Sequence, residues 1–195
     1  ASLNFRGGSE DAHHLLMEFA SNLAWAEGRK IEIVGRLGGS RPFRQGRPRF
    51  GQLQSQKFRI PYMPDPQAPD GRLALALYRE GLGLDHPGYA LLSFFKIINL
   101  RYRSGREQRE FIARVLPKLT DRNAREKLAK LQEEEMTEPL DEYLYRSCRN
   151  AVAHAGLDPT MNPDDLEDIK RFHAALPVVR ALAAWLIEHE IGIKS

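Results

Sequence analysis

The stretch PGYALLSFFKIINLRY, residues 87–102, decides the fold of this 195-residue chain. Its apolar residues form a continuous band at helical spacing, and Pro87 stands where a proline suits the first turn of a helix. A helix that is apolar over most of its surface has to be covered by other elements. We therefore expect residues 87–102 to form the central helix of a helical core.

Amphipathic segments on both sides predict the helices that cover this central one. Each segment repeats apolar residues every three or four positions, and Asp121 and Asn162 are suited to capping two of the helices. We expect Gly81 and Gly83, and later Gly156, to end helices, and Pro177 to interrupt the last one. The chain is thus predicted to be mainly α, an antiparallel bundle of about four to five helices. The helical patterns fall in segments 72–82, 87–102, 106–119, 121–135, 138–155 and 162–190.

The first third of the chain has a different pattern. A helix is predicted from the candidate cap Ser9 to about Glu27, and the alternating segments KIEIVGRL and LQSQKFRIPY then predict a small β-hairpin. The proline-rich segment PYMPDPQAPDG follows. We predict an N-terminal helix and basic hairpin over residues 1–64, a linker over 65–71, and the helical bundle over 72–195.

The overall composition is that of a soluble globular protein. Hydrophobic residues make up 42% of the chain, and the mean hydropathy is −0.48. We find no run of about eighteen apolar residues and no secretory signal in ASLNFRGGSE, so we expect a cytoplasmic protein. Because Cys148 is the single cysteine, an internal disulfide and a multi-cysteine zinc site are excluded. We expect no metal and no cofactor.

Positive charge is concentrated between Ile33 and Pro64. This segment carries seven basic and no acidic residues, whereas the whole chain has a net charge of only +3. A local positive patch attracts phosphate polyanions, which predicts a nucleic-acid-binding surface, although a solvated loop would have the same composition. The candidate nucleic-acid-binding residues are Arg36, Arg41, Arg44, Arg47, Arg49, Lys57 and Arg59.

The segment RNAVAHAG, from Arg149 to Gly156, combines a guanidinium, an amide and an imidazole within six residues. The chain has three pairs of arginine and histidine separated by four to six residues, and about two are expected by chance. Of the three pairs, only Arg149 and His154 are predicted to share a helix. Asn150 and His154 are four residues apart and therefore lie on one helix face, where the long arginine side chain can reach them. This context predicts a polar pocket if a second helix closes it.

The segment YRSCRNAVAHAG resembles the signature of the HEPN superfamily. The helical bundles of that superfamily carry an Arg-x4–6-His motif with Asn, Asp or His directly after the arginine. Arg149, Asn150 and His154 match all three positions. The preceding segment ALALYREGLGLDHPGYALLSFFKIINLRY resembles the first long helical pair of the HEPN branch that includes ApeA-like defence proteins and methylamine-utilisation J-type proteins. The resemblance covers about residues 73–190.

The resemblance implies a metal-independent endoribonuclease. In RNA cleavage the 2′-OH attacks the adjacent phosphate, which requires a base, an acid and positive charge on the phosphate. His154 would be the base or the acid, Arg149 would hold the phosphate, and Asn150 would orient His154 or bind a phosphate oxygen. One histidine does not easily serve as both base and acid, so the hypothesis requires a homodimer with two motifs at one cleft. RNA is then the expected substrate, and an antitoxin-like or other regulatory partner stays open.

Two other interpretations remain, so the sequence leaves open whether the protein is an enzyme. The first is a noncatalytic HEPN-like module that binds RNA or a nucleotide or serves in dimerisation. The second is a structural helical domain, in which Arg149 pairs with Asp141 or Glu142 of an adjacent turn, or with a neighbouring helix, and His154 caps the helix end.

Overall fold

The computed structural model describes residues 9–33, 63–133, 138–154 and 160–194, and these are mainly helical with no strand among them. A short 3-10 turn, Leu116–Lys118, follows the fourth helix, and a π-helical turn, Ile187–Ile191, follows the last one. The helices of the described residues are α1 Ser9–Glu27, α2 Pro69–Gly83, α3 Pro87–Asn99, α4 Gly105–Val115, α5 Arg122–Glu133, α6 (Leu140–Glu142, Tyr143–Asn150 and Ala151–Ala153 in succession) and α7 Leu166–Leu186.

Helix α3 is the centre of the core, as its sequence predicts. It packs against both α2 and α7. Phe94, Phe95, Ile97 and Ile98 are all buried, so the apolar band faces other helices around most of its circumference. The prediction of a mainly helical bundle is confirmed.

Helix α1 packs onto the same core. The Trp25 ring contacts the Tyr78 ring of α2 edge to face, with centroids 4.9 Å apart. Arg180 of α7 donates hydrogen bonds to the Tyr78 hydroxyl at 3.0 Å and to the Gly28 carbonyl at 3.0 Å. These contacts bind the end of α1 to two helices of the bundle.

Helix α2 is longer than predicted at its start and is not ended by Gly81. It begins at Pro69, three residues before Arg72. A proline suits this first position, since the backbone N–H that it lacks would have no partner within the helix. Gly81 lies inside α2, where its missing side chain leaves room for the Phe94 ring. The glycine at this position serves close packing of α2 on α3.

Helix α7 differs from its prediction at two positions. It continues through Pro177 without a break. A proline removes one backbone hydrogen bond, and Val178 and Val179 directly after it are buried in the core, which holds the helix together. The helix also begins later than predicted, because Asp165 caps it and Asn162 instead accepts a hydrogen bond from the Asp164 N–H at 3.1 Å.

The predicted β-hairpin lies almost wholly outside the described residues. Of its two segments, only residues 30–33 are described, and these form neither helix nor strand. The predicted linker, residues 65–71, lies within the described residues, and α2 begins inside it at Pro69. The division into an N-terminal region, a linker and a bundle stays a prediction.

Candidate functional site

Helix α6 carries the predicted motif and has an unusual backbone. Its central part, Tyr143–Asn150, is π-helical, with wider turns than an α-helix. Leu144 and Cys148 on one side of this segment are fully buried in the core, whereas Arg149 and Asn150 are only partly buried. The apolar spacing that predicted the buried side of α6 is therefore confirmed, and the motif lies at the edge of the core.

The structure brings Arg149, Asn150 and His154 into contact. Arg149 Nη1 donates to Asn150 Oδ1 at 2.8 Å and lies 3.4 Å from His154 Nε2. Arginine has only donor nitrogens, so the second contact is a hydrogen bond when His154 is neutral and Nε2 carries the lone pair. Arg149 Nε is buried and has no hydrogen-bond partner among the described residues. The guanidinium therefore retains hydrogen-bonding capacity.

His154 does not share the helix with Arg149, contrary to the prediction. The helix ends at Ala153, and His154 is extended, with φ −139° and ψ 106°. Its backbone N–H still donates to the Asn150 carbonyl at 3.0 Å. Because the backbone leaves the helix after Ala153, the positions of Arg149 and His154 do not follow helical spacing. The exposed imidazole contacts Arg149 directly. Gly156, predicted to end this helix, lies outside the described residues.

Arg149 is supported by a residue that the sequence interpretation missed. Its guanidinium carbon lies 5.6 Å from the centroid of the Tyr145 ring, within the range of a cation–π contact. The Tyr145 ring in turn lies against Gly105, the first residue of α4, where an added Cβ would be 2.6 Å from Tyr145 Cζ. The four-residue spacing of Tyr145 and Arg149 is a signal for such a contact, but nothing local identifies Gly105.

The ion pair predicted for the structural interpretation is not formed. Glu142 binds Arg109 of α4 instead, and Arg149 makes no ion pair within the described part of the chain. Arg109 and Glu142 connect α4 to the beginning of α6. The positive charge of Arg149 therefore has no carboxylate partner among the described residues.

The first turn of α3 closes one side of the end of α6. A Cβ on Gly88 would lie 3.2 Å from Val152 Cγ2 and 2.9 Å from the Met161 sulfur. The Met161 N–H donates to the Ala151 carbonyl at 3.1 Å, so Met161 also lies against α6. Helix α3 therefore packs against the end of α6, and the polar pocket around Arg149 and His154 stays a prediction.

The predicted nucleic-acid-binding residues are not brought to this site by the described part of the structure. Arg36, Arg41, Arg44, Arg47, Arg49, Lys57 and Arg59 all lie in residues 34–62, outside the described residues. Their role as a substrate path stays a prediction.

Cys148, next to Arg149 in sequence, is a core residue. It is fully buried, and burial raises the pKa of its thiol to about 12. A thiol with such a pKa is protonated at neutral pH, so Cys148 is not a nucleophile of the site.

Two further properties concern the described residues as a whole. They contain no group of three or more His, Cys, Asp or Glu side chains placed to hold a metal ion. None of their helices is long and apolar enough to span a membrane.

The fold and the site define a class: a mainly helical bundle with an Arg-Asn-His cluster at the end of a partly π-helical segment. The chain belongs to the family described as methylamine utilization protein MauJ, whose family model matches residues 74–188. The matched span includes Arg149, Asn150 and His154 and leaves α1 outside. Searches of the curated proteins and of the solved structures found no match.

Proposed function

We propose that the protein is a metal-independent endoribonuclease of the HEPN kind. The observation that carries the proposal is the direct contact of Arg149 with Asn150 and His154, while no described carboxylate neutralises the guanidinium. An arginine without a carboxylate partner can bind a phosphate through two parallel N–H donors. The exposed imidazole beside it provides the group that exchanges protons in RNA cleavage.

The reaction requires no redox step and no co-reactant. The 2′-oxygen forms a bond to phosphorus, the bond from phosphorus to the 5′-oxygen breaks, and a 2′,3′-cyclic phosphate and a 5′-hydroxyl result. A base takes the proton of the 2′-OH, and an acid gives one to the 5′-oxygen. A phosphate bound to Arg149 would compete for the N–H groups of Nη1 and free the lone pair of His154 Nε2 to accept a proton.

A second copy of the chain would complete the site. One imidazole cannot accept one proton and donate another in the same step, so a single chain contributes half of the acid and base pair. In a two-fold dimer, two copies of His154 and Arg149 would face one cleft. RNA and a second copy are thus the proposed partners, in the cytoplasm, and an antitoxin-like or other regulatory partner would act on this assembly.

The test is an assay of single-stranded RNA cleavage by purified protein in EDTA. We expect wild type to form 2′,3′-cyclic phosphate ends, and His154→Ala to lose at least about 100-fold in rate, the typical contribution of acid–base catalysis. His14→Ala is the matched control, because His14 is an exposed histidine of α1. Equal activity of wild type and His154→Ala, or no activity in either, would refute the proposal.

A noncatalytic module that binds RNA or a nucleotide is the second candidate. It is favoured because the cluster of one chain contains a single histidine, which cannot be both the base and the acid. In this case Arg149→Ala weakens binding while wild type shows no cleavage. The same ligand tests the basic segment. If this segment is an RNA-binding surface, binding weakens steeply as the salt concentration rises. The salt dependence then becomes less steep once Arg41, Arg44, Arg47 and Arg49 are neutralised.

A further inference from the structure

Tyr89 is an exposed aromatic residue on the mostly buried central helix. Its neighbours Gly88, Ala90 and Leu91 are buried, whereas 48% of Tyr89 is exposed. A single exposed aromatic residue is common on protein surfaces and does not by itself indicate a function. Its surroundings and its position in α3 provide the further argument.

The Tyr89 ring is held on one side by a fixed partner. The His86 ring lies 4.8 Å from it, tilted by 47°. His86 is itself fixed, because its Nδ1 accepts a hydrogen bond from the Gly88 N–H at 3.2 Å. The aromatic pair is therefore ordered before any ligand binds, and the exposed part of Tyr89 is available for a contact.

The turn that carries Tyr89 contacts the end of α6. Gly88, directly before Tyr89, packs against Val152, which is two residues from His154. One residue step separates Tyr89 from Gly88 and two separate Val152 from His154, so Tyr89 and His154 are three residue steps of about 3.8 Å and one packing contact apart. A single strand that extends a few nucleotides from a phosphate bound by Arg149 can reach Tyr89.

We propose that Tyr89, backed by His86, is a stacking site for the base of a nucleotide that flanks the phosphate bound by Arg149. The inference rests on the proposed function and adds to it a residue that binds a base of the substrate. A base in a duplex is stacked on both faces, whereas an unpaired base can be splayed out onto an aromatic side chain. The substrate is therefore single-stranded RNA, and its binding is tolerant of sequence.

The test measures binding without cleavage. A 2′-O-methylated single-stranded oligonucleotide lacks the attacking hydroxyl, so wild-type protein can be titrated with it directly. We expect Tyr89→Ala to weaken binding about 5- to 150-fold, the range for one stacked base, and Tyr89→Phe to bind like wild type. Leu166→Ala, which truncates a more exposed apolar residue (63% exposed), is the matched control and should leave the affinity unchanged.

Cross-linking provides a readout that does not depend on the stability of a variant. An oligonucleotide that contains 5-iodouracil is irradiated with the wild-type protein, and the adduct is mapped by mass spectrometry. We expect it on Tyr89. An adduct only elsewhere, or equal affinities of wild type and Tyr89→Ala, would overturn the inference.

The outcomes separate this inference from the ribonuclease proposal. Stacking at Tyr89 without cleavage of natural RNA refutes the ribonuclease and leaves the stacking site. Cleavage that depends on His154 together with unchanged binding by Tyr89→Ala refutes the stacking site and leaves the ribonuclease. Absence of any RNA binding refutes both.

Discussion

Gly81→Ala is expected to destabilise the bundle although alanine is the better helix former. An added Cβ would lie 2.7, 2.9 and 3.0 Å from three atoms of the Phe94 ring. Ordinary contacts begin at 3.4 Å, so ring and helix must separate by roughly 0.7 Å. Phe94 is only 1% exposed and also contacts Tyr78, so the ring cannot turn into solvent.

The expected magnitude follows from two opposing terms. Overpacking of a core costs about 1–3 kcal/mol, and replacing glycine by alanine inside a helix gains up to about 1 kcal/mol. Because three ring atoms of an enclosed Phe94 are affected, we expect the free energy of unfolding to fall by about 1–2 kcal/mol. For a chain of this size the melting temperature would drop by about 2–8 °C.

Gly83→Ala, two residues further along α2, is the matched control. Nothing lies within 4 Å of its added Cβ, so only the propensity gain of at most about 1 kcal/mol remains. Urea unfolding followed by circular dichroism, with thermal melts in parallel, measures both variants. If Gly81→Ala is as stable as Gly83→Ala, the argument from the contact of α2 with Phe94 is wrong.

Three further predictions concern other parts of the chain. Burial raises the pKa of the Cys148 thiol to about 12, so roughly one part in ten thousand of it is thiolate at pH 8. Ellman's reagent should therefore react with Cys148 in urea but not within minutes in the native protein. Rapid reaction of the native protein would contradict the burial of Cys148. Hydrogen bonds from the backbone and side chain of Ser104 lower the pKa of Glu107, so this cap stabilises the fold above the usual carboxyl pKa of 4.5 and loses its effect as the pH falls through the lowered pKa. The difference in urea midpoint between wild type and Glu107→Gln should therefore shrink from pH 7 to pH 3, and a difference that is independent of pH would exclude this ionisation. Tyr145→Leu should weaken binding of the methylated oligonucleotide a few-fold by removing the cation–π support of Arg149, whereas Tyr145→Phe should retain it; equal binding by all three proteins would show that the ring does not position the guanidinium.

Local sequence patterns determined where most helices lie. The apolar band of residues 87–102 predicted α3 and its central place, because a helix without a polar face is stable only inside a core. The cap Asp121 was also predicted, and its carboxylate accepts a hydrogen bond from the Ala124 N–H at 2.7 Å. These features depend on residues a few positions apart, which a sequence displays directly.

Tertiary packing decided what happens within and at the ends of those helices. Gly81 and Pro177 normally end helices, yet both lie inside helices here, because contacts with the core outweigh the loss of a hydrogen bond or of propensity.

The candidate site likewise has features that the sequence shows and features that only the tertiary structure decides. Its three side chains, Arg149, Asn150 and His154, are evident from the sequence, since they are close neighbours along the chain. Their geometry is not, because it depends on the π-helical turns of α6 and on the extended backbone of His154. The contact of Tyr145 with Gly105 joins residues 40 positions apart. Such contacts exist only after the helices have packed, and no short-range pattern in the sequence encodes them.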